Sequence, residues 1–436
     1  MRVLSDELKK QAGKAVTVAG WLYKKRSLGG VMFVVLRDRR GLMQVVVRSE
    51  AEQEKLRGMQ VGTVVEVHGR VKAEPRAVGG AEIHEPKITV LVPVEDEPPI
   101  EIDNPIDHNP ENFDTLFENR VLNLRNLDEQ RIFRVRAALT QALRDFLITQ
   151  EFVEVQTPKL LAGATEGGAE VFKVDYFDRQ AVLAQSPQLY KQIMAGVFER
   201  VFELAPAYRA EPSMTTRHMS EVTMLDIEMA FIDSHEDLLK LTEQLLYEVL
   251  TKVTKQRAED LKALGAPPLK LKKQFPRFTV AEVHDLYSKD SGENTRKEKD
   301  LLPAEERWIC DYAAKKFGCE AVFVTEFPVE SMKFYHMINP DNPQTVLWAD
   351  LLFRGVEIAT IPQREHRYDV LVKQMKATGL DPEHPGFRYY LQAFKFGMPP
   401  HGGFGFGVDR LTQTVVGLSN VKEATLFPRD MNRLTP

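Results

Sequence analysis

The sequence predicts an α+β protein: a small Greek-key barrel of the OB type, followed by a large antiparallel sheet flanked by helices. Three observations lead there. Five short β-rich runs crowd into the first 95 residues with a single helical stretch among them. The long helical patterns begin only after residue 126. The strands beyond that point come as hairpins, which argues against a doubly wound parallel sheet. The expected organisation is a barrel over residues 1–95, a linker over 96–125 and a large domain over 126–436.

The barrel runs are AVTVAGWLY, VMFVVLRD, LMQVVVRS, GTVVEVHGRV and EIHEPKITVLVPV, with turn signals at Leu28-Gly29-Gly30, Arg40-Gly41 and Gly79-Gly80 and a helical stretch, AEQEKLRGM. Barrels of this kind bind single-stranded nucleic acid on a basic face carrying aromatics. Lys24, Lys25, Arg26, Phe33 and Gln44 are the candidates here, although Phe33 fits a core position equally well. Residues 1–90 carry 17 Lys and Arg against 10 Asp and Glu, which leaves −12 on the rest of a chain whose net charge is −5. A basic module on an acidic body suits a polyanion partner, and it also lies within ordinary surface variation.

Residues 96–120 are rich in Pro, Asp and Asn and lack periodicity, hence the linker. From Asp128 to Gln150, Ile132, Val135, Leu139, Leu143, Phe146 and Leu147 recur at helical spacing. A strand, FVEVQTP, follows and stops at Pro158, and further helices are expected near 235–262 and 303–317. With 436 residues, 43% of them hydrophobic, the chain can bury one large core and a satellite. It contains no run of eighteen apolar residues and starts without the apolar core of a signal peptide. Cys310 and Cys319 fit no zinc pattern and read as buried thiols of a cytoplasmic protein.

Four stretches carry chemistry. In residues 201–229 two apolar strands flank a loop rich in Arg, His, Met and Thr, with Arg209 and Glu211 at the strand edge. An Arg fork there matches phosphate oxygens, while a solvated hairpin with a surface ion pair is the plain alternative. In residues 348–369, Arg354-Gly355 forms a two-residue turn; if Phe353 pairs with Val356, then Leu352 faces Glu357 and Asp350 shares that face. Two such carboxylates call for a hard divalent cation, whereas a slipped register would separate them. In residues 397–418, Gly402, Gly403, Gly405 and Gly407 strip side chains from a strand that enters a helix at Arg410. A ligand can lie against such a backbone, with a glycine bulge and a surface Arg as the plain alternative, and neither dinucleotide nor P-loop spacing is met. In LAQSPQLYKQIM (183–194), Lys191 falls on the first turns of a mostly apolar helix, where it is either solvated or paired with a carboxylate.

Taken in order, Thr157-Pro158, then YRAE (208–211) with its loop to 221, then GFGVDR (405–410), resemble motifs 1, 2 and 3 of the class II aminoacyl-tRNA synthetases. TEGGAEVF (165–172), QSPQLYKQ (185–192) and the N-terminal barrel narrow the resemblance to the aspartyl, asparaginyl and lysyl subgroup, and within it to the compact archaeal type of aspartyl enzyme. The resemblance covers essentially the whole chain and implies an aspartate–tRNA ligase that uses ATP and Mg²⁺, works as a homodimer and binds tRNA(Asp).

Carried over residue by residue, it implies that Arg209 grips the α-phosphate, Glu211 places the ATP, His218 approaches the distal phosphates and Arg410 binds the γ-phosphate. It gives Mg²⁺ to Asp350 and Glu357, with Thr360 at the second ligand position. The substrate ammonium falls to Glu166, with Gln188 nearby, and the aspartate side chain to Lys191 and Arg364. In the barrel it assigns an anticodon base to Phe33 and a hydrogen bond to Gln44. Tyr23 and Lys25 stand where such enzymes differ between charging tRNA(Asp) alone and also tRNA(Asn). Strict members tend to carry Trp at the first position and relaxed ones His at the second; neither pattern is met, and the reading leans to the relaxed form. The chain departs from the resemblance at Ala359-Thr360-Ile361-Pro362, where the subgroup often has a Ser-Gly-rich stretch, and at Val222, where many relatives carry an aromatic. Asparaginyl- or lysyl-specific enzymes and a non-catalytic RNA-binding paralogue are the competing readings.

Overall fold

The computed structural model describes residues 2–105, 112–163, 170–212 and 215–436, and the chain divides into two compact units, Met1–Gln130 and Arg131–Pro436. In the first, strands β1 (Ala15–Leu28), β2 (Val31–Arg37), β3 (Leu42–Val47), β4 (Val64–Ala73) and β5 (Ala81–Val92) close a barrel in the order β1-β2-β3-β5-β4. Alternation decides the faces: Met32, Val34 and Leu36 of β2 turn inward and are buried, while Val31, Phe33 and Val35 turn outward. Helix α1 (Glu50–Arg57) covers part of the barrel and buries Leu56. The pairing of β1 with β2 shifts between Leu22 and Lys24, so Tyr23 is the extra residue of a bulge.

The expected linker is not structureless. It contains α2 (Phe113–Glu118) and α3 (Arg120–Asn123). Two helices of six and four residues are too short to display a 3.6 period, which is why the pattern hid them. They are held by the stacked rings of Phe113 and Phe117 and by buried Arg120, which donates to Glu129 at 2.7 Å and to Asn123 at 2.8 Å.

Helix α4 (Leu127–Thr149) leads into the second unit, where it and α6 (His235–Gln256) pack on an eight-stranded sheet. The sheet is built from β6 (Val153–Glu154), β10 (Arg200–Tyr208), β11 (Glu221–Ala230), β12 (Arg277–Thr279), β13 (Ala321–Thr325), β14 (Trp348–Phe353), β15 (Val356–Pro362) and β16 (His401–Gly407). The order is β12-β13-β14-β15-β16-β11-β10-β6, antiparallel from β13 to β10 and parallel at the two outer pairs. The antiparallel expectation thus holds for the six central strands. A separate small sheet joins β7 (Leu160–Leu161), β8 (Lys173–Tyr176) and β9 (Arg179–Leu183). Around these lie α5 (Gln188–Phe198), α7 (Ala258–Ala263), α8 (Val280–Ser291), α9 (Pro303–Phe317), α10 (Tyr368–Ala377), α11 (Arg388–Lys395) and α12 (Val408–Val416).

The glycines of β16 have a definite cause. A Cβ on Gly403 would stand 2.0 Å from the carbonyl oxygen of Ile227 and 2.4 Å from Glu228 Oε2, so β16 could not lie against β11 with any side chain there. Cys310 and Cys319 are buried free thiols, as expected, and burial pushes the Cys310 thiol up to about 12. Among the described residues no helix is long and apolar enough to cross a membrane.

Candidate active site

One cleft on the second unit is lined by β11, β15 and β16, by the loop that joins β10 to β11, and by the starts of α5 and α12. The expected β10–β11 hairpin is present, with Tyr208 opposite Glu221, and just beyond it the Arg209 amide donates to the Ser220 carbonyl at 2.9 Å. Arg209, Glu211, His218, Val222, Gly405, Gly407 and Arg410 all line the cleft. Burial, and then the Arg410 charge, hold the His218 imidazole below its ordinary value, so it is neutral at pH 7. Arg217, which no local pattern in the sequence singles out, ties the loop down: it donates to Glu306 at 2.7 Å and to the Gly355 carbonyl at 2.9 Å.

Arg410 enters from the first turn of α12 and donates to the Glu357 carbonyl at 2.9 Å, with its Nη1 3.6 Å from Glu357 Oε2. The next residue back, Asp409, is buried and unites three elements. It accepts from the Thr223 amide of β11 and from Arg136 of α4, both at 2.6 Å.

The β14–β15 hairpin pairs Phe353 with Val356 and Leu352 with Glu357, as expected, and then bulges at Ile358 so that Asp350 lies directly opposite Thr360. The Thr360 hydroxyl donates to Glu357 Oε1 at 2.9 Å. Burial, and then the Glu357 charge, push the Asp350 carboxyl well above its ordinary range. Two oxygen acids gathered around a hydroxyl fit a hard divalent cation. Among the described residues no group of three or more His, Cys, Asp or Glu forms a complete metal cage, so an ion here would take its remaining ligands from substrate and water, the habit of Mg²⁺.

At the other end of the cleft Lys191 takes the paired of its two readings, and Arg364 is paired as well. Lys191 Nζ donates to Asp226 Oδ1 at 2.9 Å and to the Phe404 carbonyl at 3.3 Å and lies 3.7 Å from Glu228 Oε2. Arg364 forms a fork with Glu228, Nε to Oε1 at 2.9 Å and Nη2 to Oε2 at 3.2 Å, and donates to Gln188 at 3.1 Å. Burial alone would raise the Glu228 carboxyl; Arg364 and Lys191 hold it below its ordinary range instead. Each cation therefore arrives with its own carboxylate. Gln188 donates onward to Gln192, which meets His401 Nε2 at 2.9 Å and accepts from the Tyr390 hydroxyl at 3.2 Å. Glu166 lies outside the described residues. Asp226 and Glu228 were missed although a signal was present: two acids at i and i+2 share one face of an otherwise apolar strand, MLDIEMA.

On the barrel, Phe33 turns outward, half-buried beneath the Arg26 guanidinium 5.1 Å away, and not into the core. Gln44 on the neighbouring strand donates to Glu82 at 2.6 Å. Lys25 is engaged within the barrel unit itself. Its register partner is the core residue Val34, and its ammonium donates to the carbonyls of Leu56, Arg57 and Met59 at 2.7–2.9 Å, capping the C-terminus of α1. Tyr23, on the bulge, is half-buried.

Residues 112–431 match the family of tRNA synthetases class II (D, K and N), and residues 16–91 match the OB-fold nucleic acid binding domain. The chain belongs to this class II family and is an ATP-using aminoacyl-tRNA ligase with a tRNA-binding barrel. It is 43% identical to the Aspartate–tRNA(Asp/Asn) ligase of Methanopyrus kandleri, covering 99% of this chain and 98% of that one. It is 40% identical to the Aspartate–tRNA(Asp) ligase of Pyrococcus abyssi over 97% of each. Among solved structures, asparaginyl-tRNA synthetase from Pyrococcus horikoshii complexed with asparaginyl-adenylate is similar at 34% identity and a TM-score of 0.92 over 100% of both chains.

Proposed function

We propose that this enzyme is an aspartate–tRNA ligase which activates L-aspartate with ATP and Mg²⁺ and charges tRNA(Asp) and also tRNA(Asn), working in the cytoplasm as a homodimer. The single observation that carries the choice of amino acid is the floor of the cleft. Lys191 keeps one N–H beyond its bonds to Asp226 and Phe404, and Arg364 Nη1 has no hydrogen-bond partner among the described residues. A carboxylate accepts from both. An amide can offer one oxygen but turns its NH₂ against donors, a mismatch worth several kcal/mol in a dry pocket, where about 1.4 kcal/mol is tenfold.

The reaction asks these residues for positioning and charge, not for acid–base work. The aspartate α-carboxylate attacks the α-phosphorus of ATP in line and pyrophosphate leaves. Arg209 steadies the charge that builds on the α-phosphoryl oxygens, with Glu211 beside it, while His218 and Arg410 hold the distal phosphates. Glu166, with Gln188, takes the substrate ammonium. Asp350, Glu357 and Thr360 would hold Mg²⁺, which when bound neutralises phosphate oxygens. A terminal ribose hydroxyl of the tRNA then attacks the adenylate carbonyl and AMP leaves. Phe33 and Gln44 read anticodon bases, with Tyr23 at the edge of that face.

Asparagine is the second reading, favoured by the charge balance of Lys191 and Arg364 against Asp226 and Glu228, which also suits a neutral side chain. ATP–pyrophosphate exchange measured with aspartate, asparagine and lysine separates them: exchange with aspartate alone is expected, and exchange with asparagine alone would replace the proposal. No exchange with any of the three would favour the non-catalytic paralogue. Charging of purified aspartate and asparagine tRNA transcripts side by side tests breadth. The dimer is supported by the exposed apolar residues Ile148, Val153 and Leu160 along the motif 1 segment, and a monomer by light scattering would refute it.

A further inference from the structure

We infer that Trp348 is a positioning residue for the metal-binding carboxylate: its indole N–H holds Asp350 turned toward Glu357, so that the two can share a divalent cation. The inference rests on the Mg²⁺ reading of that pair.

Trp348 and Asp350 are i and i+2 on β14 and share a face. The indole Nε1 donates to Asp350 Oδ1 at 2.7 Å. The ring that carries it is held on two sides. It stacks on Phe327 at 4.1 Å with an interplanar angle of 11°, and it lies against the His336 ring at 5.4 Å. Phe327 is fully buried, and so cannot yield. A donor fixed in this way does what a solvent donor cannot, because it keeps one carboxylate oxygen engaged at a constant angle.

The need for such a donor is electrostatic. Asp350 faces the negative charges of both Glu357 and Asp300. A carboxylate under that repulsion, left to rotate, turns away from its neighbour. Thr360 directly across the strand pair fixes the site from one side and Trp348 from the other, along the strand. The aromatic contacts alone would account for a large residue at position 348, and they would be satisfied by phenylalanine. The hydrogen bond would not.

Trp348→Phe keeps a ring for the stack and removes only the N–H. Mn²⁺ binding to the full-length protein in the presence of ATP, followed by electron paramagnetic resonance, is expected to weaken about tenfold, equivalent to about 1.4 kcal/mol. Exchange activity should recover at high Mg²⁺, with an unchanged KM for aspartate. Unchanged Mn²⁺ affinity in a variant of normal thermal stability would overturn the inference, as would a loss of rate that excess metal leaves in place. Asp350→Asn is the companion measurement. If it weakens Mn²⁺ binding while Trp348→Phe does not, the role of Trp348 falls and the metal site stands; if neither does, the metal site falls with it. Trp21→Phe/Trp308→Phe leaves Trp348 as the sole tryptophan. In that chain Mn²⁺ added with ATP should quench the emission, and undiminished emission would overturn the placement without relying on the folding of Trp348→Phe.

Discussion

Lys191 shows how much a residue's meaning depends on its partners. It is 2% exposed and sits beside two carboxylates, Asp226 and Glu228, themselves buried. Removing it leaves Asp226 charged and unpaired and, under the proposed function, also strips the substrate of a donor, so two losses arrive together. Lys191→Ala should cripple aspartate activation, leave ATP binding largely intact and cost about 3–5 kcal/mol of stability. Pairing Lys191→Met with Asp226→Asn should restore stability to near that of the parent but not activation. A double variant with full exchange activity, measured beside its urea midpoint, would remove Lys191 from the aspartate site. His401 is a second residue with a measurable signature. Its Nδ1–H donates to the Pro399 carbonyl and its Nε2 accepts from Gln192, so a second ring proton would meet an N–H head on. Burial pushes the imidazole down to about 4. The folded value is then below the unfolded one of about 6.5. The unfolded chain binds more protons between them, so this contribution is complete above about pH 6.5 and is lost as pH falls toward about 4. The loss is about 3 kcal/mol at most. Urea midpoints at about pH 7.5 and about pH 4.5 should differ more for the parent than for His401→Gln, and equal slopes would contradict this.

At the scale of the element, β16 tests whether its glycines serve packing or ligand access, because the four are not equivalent. Gly403 meets Ile227 at 2.0 Å and Glu228 at 2.4 Å from an added Cβ, whereas Gly405 meets only Met224 at 3.3 Å and Asp226 at 3.4 Å. Gly403→Ala should therefore separate β16 from β11, lowering stability by several kcal/mol and abolishing activity. Gly405→Ala should fold normally and raise the KM for substrates, since this residue lines the cleft. Circular dichroism melts with exchange kinetics on both variants check the contrast, and equal stability would refute it. The same strands mark how far the sequence could be read. The Phe353–Val356 and Leu352–Glu357 pairings, the Arg354-Gly355 turn and the five barrel strands were legible because period-2 alternation and turn chemistry are local. The bulges at Tyr23 and Ile358 were not, since one extra residue leaves the hydrophobic pattern almost intact while rotating the residues beyond it. That rotation sends Lys25 to the end of α1 and sets Asp350 against Thr360. Partners distant in sequence, such as Arg217 with Glu306 or Arg364 with Glu228, leave no periodic trace at all. The resemblance to a family supplied residue roles that alternation could not, yet it did not supply their counter-charges.

Over the whole molecule, the division into two units separates two kinds of chemistry, and that division is open to measurement. Among the described residues, those lining the cleft fall between 186 and 421, within the second unit, while Phe33, Gln44 and Tyr23 belong to the first. Amino-acid activation needs only the cleft; transfer also needs the tRNA held. A change on the barrel face should therefore alter one reaction and spare the other. Phe33 is suited to the test because it turns away from the barrel core, so its loss opens no large cavity, and because Arg26 above it already presents a cation to an incoming base. Stacking of a base on an aromatic is worth about 1–3 kcal/mol, which corresponds to a rise of roughly 5- to 150-fold in the KM for tRNA in Phe33→Ala. ATP–pyrophosphate exchange by the same variant should match the parent in both kcat and the KM for aspartate. If exchange falls together with charging, the barrel contributes to activation as well. If neither changes, Phe33 is not where the anticodon stacks, and the outward face of β2 and β3 has to be searched again, beginning with Gln44.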